Sequence, residues 1–322
     1  MKFEILEMHR VSLISLDRNS HSLPKAAEIV EKSPNSIKPY LQIMRVDKPT
    51  GTWLLFWPSA WSIALATPSG DLPSLYLLSL FGAGSFLMRS SGCVINDMWD
   101  KEFDKKVART KDRPLSSGTL SMVQATALLS VLLSSSLAIL LQLNWFSVAV
   151  GASSMLLVIS YPLAKRYTYW PQIVLGATLN YGTLIAWAHM MPSEKFYLIL
   201  PLYFSNICHT VIYDTIYAHQ DISDDLMIGV KSTALKFGEN TKKWLSGFGF
   251  GCFTGLITTG LITDQTWPYF LGAAATASHL IWQIGSADLK NASDCAAKFK
   301  SNQKMGAILF TGIVLSNLLK SV

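Results

Sequence analysis

The sequence predicts an all-α integral membrane protein built from nine transmembrane helices. Half of its 322 residues are hydrophobic and only 15% are charged, whereas soluble domains carry nearer a quarter. From Pro39 onward, apolar runs close to the ~20 residues of a spanning helix recur between polar breaks. Basic residues gather in alternate connections, the asymmetry of a membrane protein rather than a nucleic-acid-binding face. Mean hydropathy is only +0.31 because the polar connections are long.

Residues 1–38 contain no apolar core long enough for a signal peptide. Arg10, Arg18 and several serines fit a transit peptide, while Glu4, Glu7 and Asp17 do not. This stretch reads as a poorly ordered leader or targeting segment, followed by a membrane domain over 39–322. The expected spans are 51–67, 75–95, 121–141, 144–161, 172–190, 196–214, 244–263, 267–286 and 305–319. The first follows the basic run Arg45-Val46-Asp47-Lys48-Pro49, and the second runs out into an acid-rich stretch. The fourth begins almost directly after the third. The fifth follows Trp170, and the sixth ends on a second acid-rich stretch. The seventh and eighth open at Trp244 and Trp267, and the last is short. Trp53, Trp57, Trp145, Trp170, Trp244 and Trp267 lie near expected helix ends, where amphipathic rings favour the interface. Helical glycines such as Gly176 and Gly255 are expected to let helices approach closely.

Charge tests the count independently. The connection after the second span holds Lys101, Lys105, Lys106, Arg109, Lys111 and Arg113. Lys165 and Arg166 follow the fourth; Lys231, Lys236, Lys242 and Lys243 follow the sixth; Lys290, Lys298, Lys300 and Lys304 follow the eighth. The opposite connections hold only Lys195. The positive-inside rule then puts the N-terminal side and both acidic stretches on one face, cytosolic or its matrix equivalent. Cys93, Cys208, Cys252 and Cys295 are far apart and form neither a zinc pattern nor a disulfide framework.

The first acidic stretch is Asn96-Asp97-Met98-Trp99-Asp100-Lys101-Glu102-Phe103-Asp104, and the second runs from Asp214 to Asp225. Residues four apart share a helix face, so Asn96, Asp100 and Asp104 form one oxygen-rich column. Asp214, Asp221 and Asp225 form another, with Asp224 beside it. Carboxylates about 5 Å apart repel by roughly 3 kcal/mol at an effective dielectric of 20, so such columns call for a cation. Mg²⁺ prefers oxygen ligands and completes its shell with phosphates and water. The paired columns therefore point to a magnesium–diphosphate substrate. A leaving diphosphate needs fixed cations, and Arg113, Lys165 and Arg166 lie on the same side. Arg45 carries a fork suited to an anionic co-substrate's carboxylate. Tyr217 shares the second column's face and reads equally as packing or as a phosphate donor. An ion transporter would place its acids nearer the midplane, and a structural scaffold needs no opposed carboxylates.

These residues resemble the UbiA-type intramembrane aromatic prenyltransferases. Their NDxxDxxxD motif stands as Asn96-Asp97, Asp100 and Asp104. The DxxYAxQDxxDD motif stands as Asp214, Tyr217-Ala218, Gln220-Asp221 and Asp224-Asp225. A YxxxKR element stands as Tyr161, Lys165 and Arg166. Residues 45–55 and 229–241 resemble the branch that prenylates 4-hydroxybenzoate, its mitochondrial eukaryotic members above all. The resemblance implies nine helices around a central cavity, with polar loops capping the active site on one face. It implies Mg²⁺, a polyprenyl diphosphate donor and 4-hydroxybenzoate as acceptor in ubiquinone synthesis; homogentisate, a naphthoate or haem are alternative acceptors. It implies metal binding by both acidic motifs, Asp97 included. Lys165, Arg113 and Tyr161 become catalytic candidates, and Asp214 a candidate base. Lys165, Arg113, Arg45, Arg166 and Tyr217 become substrate-binding candidates. The expected setting is the mitochondrial inner membrane, with the site facing the matrix, beside other enzymes of ubiquinone synthesis.

Overall fold

A computed structural model describes residues 25–107, 110–222 and 229–320, and the described residues form helices and connecting loops with no strand. Two short helices, α1 (Lys25–Glu31) and α2 (Lys38–Ile43), precede the membrane domain's first long helix. Then come α3 (Thr50–Ala66), α4 (Leu75–Trp99), the short α5 (Lys101–Asp104), α6 (Met122–Leu140) and α7 (Trp145–Tyr167). The half-helices α8 (Pro171–Leu179) and α9 (Tyr181–Met190) meet at Asn180. A 3₁₀ turn, Ser193–Ile199, leads into α10 (Leu200–Ala218), and a second, His219–Asp221, follows it. The chain closes with α11 (Thr233–Phe237), a 3₁₀ turn at Gly238–Asn240, α12 (Thr241–Ile262), α13 (Trp267–Ser286) and α14 (Ala292–Leu318).

Polar caps set several helix starts. Ser74 accepts from the Leu77 N–H, Asn144 accepts from the Ser147 N–H, and Ser121 with Gln124 forms a reciprocal capping box. Helix ends depart from the expected spans where polar residues continue a helix. α7 carries Lys165 and Arg166 in its last turn, because long basic side chains let a helix run on into the interface. α14 starts at Ala292 rather than near 305. Its polar first half points Lys298 and Asn302 inward, where both are buried.

All nine expected stretches are helical. Among the described residues, five helical stretches are long and apolar enough to cross a membrane: Leu75–Trp99, Met122–Leu140, Trp145–Tyr167, Ser193–Asp221 and Thr233–Ile262. The other four have physical reasons for falling short, α13 because Pro268, His279 and Gln283 lie within it. α3 has 17 residues, α8–α9 is interrupted at Asn180, and α14 begins polar.

The long helices close a ring. α3 packs on α4, α4 on α6, α6 on α7, and α7 on α8 and α9. From there α8 packs on α10, α10 on α12, α12 on α13, α13 on α14, and α14 returns to α3. Trp61 on α3 donates to the Gly306 carbonyl on α14 at 2.9 Å. At the far end, Asn317 donates to the carbonyls of Ala64 and Thr67. Two glycines permit close contact on α10. A Cβ on Gly255 would lie 2.7 Å from the Pro201 carbonyl oxygen, and one on Gly176 would lie 3.2 Å from the Ile207 backbone. Helices α8 and α12 thus lie close against α10 because no side chain intervenes.

A narrow cavity opens inside the ring, lined by Leu54, Trp57 and Trp61 of α3, His209 and Tyr213 of α10, and Asn302 of α14, among others. Several of its polar groups pair across helices: His209 with Asn302 at 2.8 Å, and Asn180 with Thr210 at 2.8 Å, while the buried Trp57 Nε1 has no partner. Trp57 is thus a cavity wall stacked on Trp53 (ring centroids 5.4 Å apart), not a bare interface anchor. Trp145 and Trp267 are exposed, as anchors are.

Candidate active site

The first acidic motif keeps its column although the helix breaks within it. α4 ends at Trp99 and Asp100 bends, yet the Asp100 N–H still donates to the Asn96 carbonyl (2.9 Å) and the Asp104 N–H to the Asp100 carbonyl (2.8 Å). The four-residue repeat therefore carries Asn96, Asp100 and Asp104 down one side.

An apolar cluster holds this end of the molecule in place. Ile43 of α2, Val94 of α4, Leu115 and Leu120 of the following loop, and Ala125 and Leu132 of α6 are buried together. Around that cluster lies an ion network. Arg45 Nη2 donates to both oxygens of Asp97, each at 2.8 Å, and Arg113 Nη1 reaches Asp97 Oδ1 at 3.0 Å and Asp104 Oδ2 at 2.8 Å. Two carboxylates thus meet two guanidiniums. Asp97 is buried, its side chain 1% exposed. Arg45 also donates to the Gln42 carbonyl and holds a left-handed backbone, φ 59°, a conformation retained where surroundings enforce it. Burial pushes the Asp104 carboxyl above the usual carboxylate range, and the Arg113 guanidinium offsets part of that rise.

Lys165 links the two motifs. Its ammonium lies 3.2 Å from Asn96 Oδ1 and 4.0 Å from Asp100 Oδ2, and it also acts electrostatically on Asp214. One side chain from α7 thus contacts the first motif and acts on the first aspartate of the second. Its neighbour Arg166 lies 5.9 Å from the rings of both Trp99 and Phe103, which packs the end of α7 against the first motif. Tyr217 packs its ring on Phe299 of α14 at 4.5 Å. Asp221 ends the 3₁₀ turn that follows α10. Asp224, Asp225 and the side chain of Tyr161 lie outside the described residues.

Two residues that no motif marks also stand here. Gln172 at the start of α8 is buried beside Asp214, and its Oε1 accepts from the Thr233 backbone N–H at 3.0 Å. Arg89 of α4 acts electrostatically on Asp214, and its buried Nε has no hydrogen-bond partner. It lies against Gly51, where a Cβ would collide with its guanidinium. An arginine eight residues before Asp97 within an apolar span was the available sequence signal; a glutamine at a helix start carries none.

Among the described residues, no three His, Cys, Asp or Glu side chains stand close enough to hold a metal by themselves. The donor chemistry nevertheless suits Mg²⁺. Asn96, Asp100 and Asp214, none of them hydrogen-bonded to an arginine, carry oxygen donors for a cation, and Mg²⁺ commonly takes one or two carboxylates and fills its shell with phosphate.

Such a ring of apolar helices, with oxygen-bearing side chains and cations gathered together and a cavity inside, has the architecture of a helical membrane protein with a polar site. The chain belongs to the UbiA prenyltransferase family, whose model matches residues 55–309. It is 63% identical over 300 residues to the mitochondrial 4-hydroxybenzoate polyprenyltransferase of Caenorhabditis elegans, covering 93% of this chain and 84% of that one. It is 52% identical over 295 residues to the Homo sapiens protein of the same name, covering 92% and 80%. Among solved structures, a UbiA homologue from Aeropyrum pernix K1 shares the fold with a TM-score of 0.69 at 22% identity, over 82% of this chain and 97% of that one. A UbiA homologue from Archaeoglobus fulgidus bound to GPP and Mg²⁺ shares it with a TM-score of 0.60 at 15% identity, over 85% and 99%.

Proposed function

We propose that this chain transfers a polyprenyl group from polyprenyl diphosphate to the 3-position of 4-hydroxybenzoate, a step of ubiquinone synthesis. The setting is the mitochondrial inner membrane, with the site facing the matrix. The observation that carries the reading is the position of Lys165, which joins Asn96 and Asp100 of one motif to Asp214 of the other. Relatives over 50% identical are named mitochondrial 4-hydroxybenzoate polyprenyltransferases, and a fold neighbour was solved with GPP and Mg²⁺.

Asn96, Asp100, Asp214 and Asp221 would hold Mg²⁺, with Asp224 and Asp225 as further ligands of the second motif. The ion supplies positive charge to the diphosphate oxygens. Asp97 accepts from two arginines already and belongs to the framework around the site, and Asp104 shares Arg113 with it. Lys165 and Arg113 stabilise the negative charge that grows on the diphosphate as the bond from the isoprenoid C1 to oxygen breaks. Those electrons leave with the oxygen. The ring carbon ortho to the acceptor hydroxyl then bonds C1 and releases its proton, for which Asp214 is one candidate base. Arg45 is engaged with Asp97, so we assign the acceptor carboxylate to Arg89, whose Nε has an unused donor. The aromatic walls of the cavity, Trp57 and Trp61, suit the tail and the allylic cation. Loops above the motifs exclude the water that would quench that cation.

The test is an acceptor panel with purified protein and one labelled polyprenyl diphosphate, with and without Mg²⁺. Labelled product is expected with 4-hydroxybenzoate and only with the metal. Product from homogentisate or a naphthoate alone would overturn the acceptor assignment.

A further inference from the structure

We propose that Trp57 and His209 together bind the phenolic hydroxyl of the aromatic acceptor, Trp57 as donor and His209 as acceptor. The proposal rests on the prenyl-transfer reading above and deepens it.

His209 is buried in α10, and its Nε2 pairs with Asn302 Oδ1 at 2.8 Å. Asn302 settles which nitrogen of the imidazole holds the proton. Its Nδ2 donates to the carbonyls of Lys298 and Phe299, at 3.1 and 3.0 Å. The amide therefore turns its oxygen to the imidazole, and an amide oxygen only accepts. Nε2 is the donor of that pair. In the neutral ring, Nδ1 then carries a lone pair and no proton. Among the described residues nothing hydrogen-bonds it.

Trp57 supplies the opposite half. Its Nε1 is buried without a partner. The indole of Trp61, one turn further along α3, donates instead to the Gly306 carbonyl at 2.9 Å. A buried donor left unpaired is costly, so the Trp57 N–H calls for an acceptor. The indole cannot swing away to find one. It stacks on Trp53 and lies 5.9 Å from the ring of Phe310. It also lies so close to Gly306 that a Cβ there would collide with it.

Trp57 and His209 line the same cavity, which has room for about one water molecule. A phenol hydroxyl is a group of that size, and it both accepts and donates. A carboxylate only accepts, so it would set a lone pair against Nδ1. The acceptor therefore enters hydroxyl first. Its carboxylate stays with Arg89, whose guanidinium packs on Gly51, six residues before Trp57. His209 stands five residues before Asp214, about 7 Å back along α10, which sets the aromatic ring between the hydroxyl site and the diphosphate. As the hydroxyl donates to Nδ1, electron density moves from its oxygen into the ring, and the ortho carbon becomes a better nucleophile. The hydroxyl keeps its proton; the one released is the ring proton of the carbon that bonds C1. An aromatic acid without a hydroxyl leaves both the N–H and Nδ1 unpaired, and a site built this way discriminates against it.

Two variants of the full-length protein test this. Trp57→Phe keeps a ring and loses the N–H, and His209→Phe loses both nitrogens. Benzoate keeps the carboxylate and lacks the hydroxyl. Equilibrium binding of radiolabelled 4-hydroxybenzoate and benzoate to the detergent-solubilised protein therefore isolates the hydroxyl, as the ratio of the two affinities. Wild type should prefer 4-hydroxybenzoate by about tenfold or more. Each variant should cut that preference by about threefold or more and raise KM for 4-hydroxybenzoate alike, with KM for polyprenyl diphosphate within about twofold of wild type. Where His209→Phe does not fold, Trp57→Phe decides alone. A wild type that binds benzoate as tightly as 4-hydroxybenzoate would overturn the proposal. So would a folded Trp57→Phe protein with the wild-type preference. If wild type shows the preference but forms no product, the prenyl-transfer reading fails and the hydroxyl site remains.

Discussion

Asp97 and Asp100 stand three residues apart in one acidic run, yet their surroundings differ. Asp97 is sealed between Arg45 and Arg113, while Asp100 is about a third exposed with Lys165 at 4.0 Å. Breaking a buried pair strands its partner's charge and costs about 3–5 kcal/mol, while a part-exposed pair is worth ~1 kcal/mol or less. Asp97→Asn should therefore lower stability by about 3 kcal/mol, read as a fall in unfolding temperature in detergent. Asp100→Asn should leave unfolding temperature near wild type and abolish turnover. The reverse ranking of the two variants would refute the division between framework and metal ligand. The sequence displayed the acids and the cations but not their partners. Arg45 meets Asp97 across 52 residues, and such pairing is set by the apolar cluster beneath, which no local pattern reveals. Arg45 therefore looked like a free fork for an anionic substrate.

At the scale of elements, helix existence was legible and helix character was not. Hydropathy located every long helix, because lipid and core demand the same apolar residues. It could not follow α7 past Pro162 or α14 back to Ala292, since polar residues facing the interior look the same as polar residues in a loop. Nor did it find the break at Asn180, whose amide is satisfied by the carbonyls of Gly176 and Asn206 and by Thr210, across the gap between elements. Small residues were also uneven. Gly255 has the Pro201 carbonyl and the Ser205 side chain at its door, while nothing lies within 4 Å of a Cβ on Gly247. Gly255→Val is therefore expected to destabilise by about 1–3 kcal/mol through overpacking. Gly247→Ala should be neutral or slightly stabilising, because a helix favours Ala over Gly by about 1 kcal/mol. Unfolding temperatures of the pair check the contrast.

For the whole molecule, alternating charge is the feature that bears on orientation. Placing every basic connection on one side predicts that the two acidic motifs meet; Lys165 hydrogen-bonds Asn96 of the first and acts electrostatically on Asp214 of the second. The four native cysteines are buried and unbonded, so single introduced cysteines can report sidedness cleanly. In mitoplasts, an impermeant maleimide should label Glu194→Cys directly and Lys111→Cys only after permeabilisation. Labelling of both from one side would contradict the proposed orientation.

The seal between α3 and α14 bears on how the molecule is made. Trp61 and Gly306 are 245 residues apart, and the Gly70 N–H also waits for the Asn317 carbonyl. Without α14 the ring is open, and the Trp61 indole and the Gly70 amide lose their partners. A chain cut short before Ala292 is therefore expected to lack the closed chamber, so that activity depends on the last helix to be added.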